Sequence, residues 1–119
     1  MAKVLIVDDA LFMRTRTSRM LVDAGHEVCE AENGRIAVEV YQRERPDAVL
    51  MDITMPEMDG LTALAEIRRL DPSAKVSMLS AIGQQSVVMD AIKRGASGFV
   101  VKPPQPEEIL KAIARMVPA

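Results

Sequence analysis

Five polar residues that could handle phosphate or a metal cation stand directly after strand-like runs of this 119-residue chain. Asp8 and Asp9 follow the first run, Asp52 follows the third, Ser80 the fourth and Lys102 the fifth. Clustered carboxylates repel one another, so three of them in one place must hold either protons or a cation. Carboxylate oxygens together with water suit a hard ion such as Mg²⁺.

The same residues suit phosphoryl transfer. A cation and the ammonium group of Lys102 can share the charge of a transferring phosphoryl group, and a carboxylate can accept that group as an aspartyl phosphate. The hydroxyl of Ser80 can donate to a phosphoryl oxygen. Each residue alone has an ordinary explanation, because an Asp after a strand usually caps a helix or a turn, and Asp8-Asp9 fits that explanation well. The hypothesis rests on the coincidence of all of them at strand ends.

These side chains can meet only if the apolar runs are strands of one parallel sheet. Five strands are predicted: Val4 to Val7, Glu27 to Ala31, Ala48 to Met51, Val76 to Leu79 and Phe99 to Val101. Helical spacing predicts helices at Leu11 to Ala24, around Ile36 to Tyr41, at Leu61 to Leu70, at Gln85 to Arg94 and from Pro106 onward. This alternation predicts an α/β fold, a doubly wound five-stranded parallel sheet covered by five helices, with ligands beyond the carboxyl ends of the strands.

Composition narrows the function classes. With 49% apolar and 27% charged residues the chain is typical of one soluble globular domain, and its net charge of −2 argues against direct binding of nucleic acid. The apolar run near the N-terminus is too short for a signal peptide or for membrane insertion, and the single Cys29 fits a reducing cytoplasm. Three arginines of the first helix are interpreted as its solvated face: Arg14, Arg16 and Arg19.

Four segments resemble the response-regulator receiver domain family: VLIVDD at 4–9, MDITMPEMDG at 51–60, SA at 80–81 and GASGFVVKP at 95–103. The resemblance covers essentially the whole chain in order and spacing, so residues 1–119 are expected to form one receiver domain. It implies a flavodoxin-like fold with strand order 2-1-3-4-5.

The resemblance implies a role for each residue of the site. Asp52 is then the phosphoacceptor and Lys102 pairs with the phosphoryl group. Mg²⁺ is bound by Asp8, Asp9 and Asp52, with a further ligand from the backbone carbonyl of Thr54.

The resemblance also implies a conformational switch. Ser80 moves toward the phosphoryl group, Phe99 swings inward into the vacated space, and the Lys102-Pro103 bond is cis. Such a switch is a two-state equilibrium that changes the surface of the fourth helix, fifth strand and fifth helix.

The partners implied are a histidine kinase as phosphodonor and a downstream protein target. The segment from Gly95 to Lys102 resembles the chemotaxis type of receiver, which favours a flagellar motor switch protein as that target. The alternatives are a phosphorelay intermediate and a regulator of another partner. We expect a cytoplasmic protein that is monomeric when unphosphorylated and that dephosphorylates itself without being a conventional turnover enzyme.

Two residues depart from the family pattern. Pro104 stands where an aromatic residue is common, which should stiffen the loop. Ile82 is apolar where some relatives are polar or acidic, and with Thr54 it should limit the approach of water to the phosphoryl group. We therefore predict slow self-dephosphorylation. Loss of ³²P from the phosphorylated protein should be faster in Ile82→Glu, and equal rates would refute this prediction.

Two function classes compete with a phosphorylation switch. A flavodoxin-like cofactor-binding module needs a hydroxyl-rich phosphate loop after the first strand, and the chain has Asp8-Asp9-Ala10 there and no Trp. A Mg²⁺-dependent phosphatase of small molecules needs a general acid beside its nucleophile, and no candidate is found. His26, the only histidine, is predicted to lie in a turn.

Overall fold

The computed structural model describes residues 1–81 and 83–117, which form alternating strands and helices. The strands are β1 (Lys3–Val7), β2 (Glu27–Ala31), β3 (Ala48–Asp52), β4 (Val76–Ser80) and β5 (Gly98–Val101). The helices are α1 (Leu11–Asp23), α2 (Gly34–Glu44), α3 (Gly60–Leu70), α4 (Gln85–Lys93) and α5 (Pro106–Met116). The strands pair in parallel in the order β2-β1-β3-β4-β5, which confirms the predicted α/β class and strand order.

Apolar residues cover both faces of the sheet. Along β1, Leu5 and Val7 join a cluster with α2, α3 and α4, whereas Val4 and Ile6 join a second cluster with α1 and α5. Successive side chains of a strand point to opposite faces, so a central parallel strand must be apolar throughout. Full burial of each large side chain of these clusters contributes roughly 1.5–3 kcal/mol.

Short polar side chains fix where two helices begin. The carboxamide oxygen of Asn33 accepts a hydrogen bond from the backbone N–H of Ile36 at 2.8 Å at the start of α2. A carboxylate oxygen of Asp59 accepts one from the N–H of Thr62 at 2.8 Å at the start of α3. Both are N-caps, which satisfy N–H groups that the helix leaves unpaired.

The single cysteine, Cys29, lies half-buried on the edge strand β2, and burial raises the pKa of its thiol. No helix in the described part of the chain has the length and apolar character needed to cross a membrane.

The α2–α3 side of the molecule carries a partly buried hydrogen bond with a predictable pH dependence. The Tyr41 hydroxyl donates to a carboxylate oxygen of Asp71 at 2.6 Å. This bond is the main cause of a lowered pKa at Asp71, and burial with the same bond raises the pKa of Tyr41. A carboxyl whose folded-state pKa is depressed stabilises the fold above its unfolded pKa and loses that contribution as pH falls through the folded pKa.

We therefore expect Tyr41→Phe to unfold at a lower urea concentration than the wild type at pH 7. The gap should narrow as pH falls through the lowered pKa of Asp71, because the protonated carboxyl no longer favours the folded state. Urea titrations at pH 7, 4 and 3 check this. A gap that stays constant over that range would show that the variant loses packing alone.

Candidate functional site

The carboxyl ends of the strands bring the predicted polar residues to one edge of the sheet. Asp52 is the last residue of β3 and Ser80 the last of β4, while Asp8 directly follows β1 and Lys102 follows β5. One carboxylate oxygen from each of Asp8, Asp9 and Asp52 lies within 4.8 Å of the others. Residues separated by up to 94 positions in the chain therefore share one site. This confirms the prediction that a parallel sheet brings them to one edge.

Lys102 is the cation of this site. Its ammonium nitrogen lies 2.8 Å from Oδ2 of Asp52 and 3.7 Å from Oδ2 of Asp8. Asp8 and Asp52 are buried, whereas Asp9 is exposed at the mouth of the site. Burial raises the pKa of Asp52, and the hydrogen bond and charge of Lys102 oppose that shift. The site thus holds a desolvated carboxylate that one ammonium group only partly compensates.

The loop between β1 and α1 is shaped by its first acidic residue. Oδ1 of Asp8 accepts a hydrogen bond from the backbone N–H of Ala10 at 2.9 Å. The N-cap position of α1 is Ala10, which has no side-chain acceptor for the helix N–H groups. Asp8 therefore stabilises the turn before the helix, and its second oxygen faces Lys102. The turn explanation and the site explanation both hold for this residue.

The prediction that Arg14 lies on the solvated face of the first helix is wrong. Its side chain is only 14% exposed and contacts Glu30 of β2 and the main chain of Asp8. The reason is its place on the turn of α1 that faces the end of the neighbouring strand. Arg16 and Arg19 instead line a surface groove with Phe12 of the same helix.

The loop after β3 is linked to the loop after β4 by a side chain that the sequence did not single out. The carboxamide of Gln84 donates to Oγ1 of Thr54 at 3.2 Å and accepts from the backbone N–H of Ala81 at 2.6 Å. These partners lie two residues after Asp52 and one after Ser80. The two loops that flank Asp52 are therefore tied together. The role of the Thr54 carbonyl as a metal ligand stays a prediction.

The predicted switch residues lie beside one another. Ser80 is buried, and its backbone carbonyl accepts a hydrogen bond from the N–H of Lys102 at 2.7 Å. Phe99 is 50% exposed and, with Ser80 and Val88, lines a cavity of about 220 Å³ between β5 and α4. The inward movement of Phe99 stays a prediction, and this cavity is a space next to its present position.

Three further predictions concern the loops after β4 and β5. The Lys102-Pro103 peptide bond is cis, as the resemblance implied. Pro104 is buried, so it contributes packing at the place where an aromatic residue is common. Ile82 lies outside the described residues, and its effect on the phosphoryl lifetime stays a prediction.

The donor set fits a hard divalent cation. It consists of carboxylate oxygens only, two of them fixed in a buried setting and one open to solvent, where a bound ion can keep part of its water. Mg²⁺ is held in proteins by this kind of arrangement, with one or two carboxylates and retained waters. The cluster could therefore hold a metal ion beside Asp52 and Lys102.

Comparison with known proteins decides the family. Residues 4–114 match the response regulator receiver domain. The chain belongs to this family. A receiver domain is the phosphoacceptor unit of two-component signalling, so the match favours the switch over the cofactor-binding and phosphatase alternatives. The motifs that carried the resemblance are the same segments that form the edge of the sheet described above.

Several proteins are similar to this receiver domain over nearly its whole length. The chemotaxis protein CheY of Listeria monocytogenes is 57% identical over 116 residues, covering 97% of this chain and 98% of the relative. CheY of Thermotoga maritima is 52% identical, covering 96% of both chains. A crystal structure of the CheX-CheY-BeF3-Mg complex from Borrelia burgdorferi has a TM-score of 0.89 and 36% identity, covering 94% of this chain and 86% of that one.

Proposed function

We propose that this receiver domain accepts a phosphoryl group on Asp52 in a Mg²⁺-dependent reaction with a histidine kinase, and that it serves in the control of chemotaxis. The observation that supports this best is the contact of Lys102 with Asp52, at 2.8 Å, inside a cluster of three carboxylates. A nucleophilic carboxylate needs neighbouring positive charge to accept an anionic group, and the cluster supplies sites for it.

Each residue has a distinct part in the proposed reaction. An oxygen of Asp52 attacks phosphorus, and the bond from phosphorus to the donor's leaving group breaks. Lys102 then pairs with a phosphoryl oxygen in place of the free carboxylate, while Asp8 and Asp9 hold the cation. Bound Mg²⁺ would supply compensation for the negative charge that Asp52 and the phosphoryl group bring together. Loss of the phosphoryl group to water resets the domain, so we do not propose a turnover enzyme.

The output surface proposed lies on α4 and β5. Among the described residues, several large apolar side chains are exposed to solvent. Four of them lie on α4 and β5: Met89, Ile92, Phe99 and Val101. Met89, Phe99 and Val101 line one cavity, and Ile92 lies on the same helix as Met89. Exposed apolar residues that lie together mark interaction sites. Ser80 reaches this patch through the cavity that it shares with Phe99, so a bond from Ser80 to a phosphoryl group would change the patch's shape.

The partner proposed is a flagellar motor switch protein. The protein is proposed to act in the cytoplasm and to be a monomer when unphosphorylated. The names of the relatives support a chemotaxis role, and the Borrelia burgdorferi relative forms a complex with a second protein. The runner-up is a phosphorelay intermediate. The two differ in what happens to the phosphoryl group after Asp52 receives it.

The test is phosphorylation with labelled acetyl phosphate, with and without Mg²⁺, followed by two readouts. Binding to a motor switch peptide should be tighter for the phosphorylated form, and Ile92→Ser should lose that binding while keeping the label. A relay protein would instead transfer the label to a histidine-containing protein and bind the peptide equally in both forms. Failure to take up label with Mg²⁺ present would overturn the proposal.

A further inference from the structure

Arg14 makes two directed contacts at the loop that carries the acidic residues. Its Nη1 donates to the backbone carbonyl of Asp8 at 2.8 Å, and its Nε donates to a carboxylate oxygen of Glu30 at 2.9 Å. That carbonyl belongs to the peptide unit that joins Asp8 to Asp9. Because a peptide unit is planar and rigid, holding its oxygen restrains the direction in which both residues leave the backbone.

The edge strand β2 holds Asp8 from both sides of its backbone. The N–H of Asp8 donates to the carbonyl of Ala31 at 3.2 Å, and the carbonyl of Asp8 is held through Arg14 by Glu30, the preceding residue of the same strand. The cap position Ala10 offers no side chain for this purpose. The donor contact of Arg14 to the Asp8 carbonyl therefore adds to the hydrogen bond that Oδ1 of Asp8 accepts from the N–H of Ala10, and both restrain the loop before α1.

We infer that Arg14 is a positioning residue for the cation site, which fixes the Asp8-Asp9 peptide unit so that the two carboxylates stay converged on Asp52. The inference rests on the proposed Mg²⁺ site. A planar guanidinium can reach a carbonyl and a carboxylate at once, whereas the single ammonium of a lysine cannot reproduce that fork. The role therefore depends on the shape of the arginine side chain as well as on its charge.

Electrostatics alone predicts the opposite effect. A positive charge beside an acidic cluster repels a divalent cation. If the charge of Arg14 were its only effect, replacing this residue with a neutral one should tighten Mg²⁺ binding. If the arginine positions the carboxylates, its removal should weaken that binding. Groups that orient metal ligands typically account for a 10- to 100-fold change in affinity. The sign of the change thus separates the two explanations.

The experiment is calorimetric titration of the unphosphorylated protein with MgCl₂. Arg14→Gln and Arg14→Lys should each raise the Kd for Mg²⁺ by about tenfold, at the low end of that range because the contact is to a backbone group. Arg16→Gln removes the same charge from the same helix, away from the loop, and should leave the Kd unchanged or slightly lower.

A second readout separates positioning from general damage to the fold. The Mg²⁺ concentration for half-maximal phosphorylation by acetyl phosphate should rise with the Kd, and the rate at saturating Mg²⁺ should recover in the Arg14 variants. If Arg14→Gln does not fold by circular dichroism, Arg14→Lys decides the matter, because it keeps the positive charge, so that electrostatics alone predicts an unchanged Kd. An unchanged or lower Kd in the folded variants overturns the inference and leaves the Mg²⁺ site intact. A wild type that binds no Mg²⁺ overturns both.

Discussion

Asp52→Asn should take up no phosphoryl group from acetyl phosphate, and at pH 7 it should unfold at a higher urea concentration than the wild type. The first result follows because the amide is a far weaker nucleophile than the carboxylate. The second follows because Asp52 is buried among Asp8 and Asp9, and burial raises its pKa despite the contact with Lys102. The function of the site is thus expected to lower the stability of the fold.

The gain in stability expected for Asp52→Asn depends on pH with a definite sign. The folded protein keeps the proton of Asp52 to a higher pH than the unfolded chain does, so the carboxyl lowers stability as pH rises from its ordinary value of about 3.9 through the raised pKa. Asparagine does not titrate. The advantage of the variant should be fully present above the raised pKa and should vanish in acid, where both chains are neutral at residue 52.

Urea titrations in EDTA at pH 7, 5 and 3.5 measure this advantage, and labelling with acetyl phosphate measures uptake. Asp23→Asn is the matched control for labelling, because Asp23 is an exposed residue at the end of α1 and its neutral form should take up label at the wild-type level. It should raise the urea midpoint only slightly, because an acidic charge at a helix C-terminus costs about 0.3–1 kcal/mol. Label on Asp52→Asn at the wild-type level would move the phosphoacceptor to another residue. A lower urea midpoint at pH 7 would mean that the ion pair with Lys102 outweighs the desolvation of Asp52.

The placement of the site was predictable from the sequence because strands and their ends are local features. The run Val4–Val7 is apolar at every position because both faces of this strand are buried, and a strand buried in that way is central. The residue after such a run then lies at the carboxyl edge of the sheet. Asp8 and Asp52 could be assigned to one site in this manner before any distance was known. Lys102 follows the edge strand β5, whose Phe99 and Val101 are exposed, and its assignment rested on the alternation of strands and helices.

The contacts that restrain the site could not be predicted in the same way. The environment of Arg14 depends on the register of β1 against β2, which pairs Val7 with Ala31 and so places Glu30 beside the first turns of α1. Helical periodicity alone assigned this arginine to solvent. Gln84 likewise bonds to Thr54, thirty positions away, through a contact between two loops. Such pairings depend on how elements meet, and the sequence of one element does not contain that information.

Gly60 is another residue whose importance depends on a tertiary contact, because the backbone of Asp52 and Ile53 lies close to it. It is the first residue of α3. Its N–H donates to the carbonyl of Ile53 at 2.7 Å. A Cβ added at Gly60 would overlap the backbone carbonyl oxygen of Asp52 and would lie 2.9 Å from the Cα of Ile53. The start of α3 therefore packs directly on the backbone of the proposed phosphoacceptor.

We expect Gly60→Ala to lower the free energy of unfolding by about 3 kcal/mol or more, since the overlap is with backbone atoms that cannot rotate away. Helix propensity predicts the opposite sign, because alanine favours a helix over glycine by up to about 1 kcal/mol. The structure also predicts slower phosphorylation, because relief of the overlap must move Asp52 relative to Lys102. Urea unfolding and the initial rate of labelling by acetyl phosphate measure the two effects.

Gly98→Ala is the matched control for this prediction. A Cβ at Gly98 would meet only Oγ of Ser77, at an ordinary contact distance of 3.7 Å. Its free energy of unfolding should stay the same or rise by up to about 1 kcal/mol, because a strand favours alanine over glycine and Gly98 is the first residue of β5. If both variants keep wild-type stability, α3 can shift away from Asp52 at little cost, and the close packing of the helix on this residue does not hold the site in place.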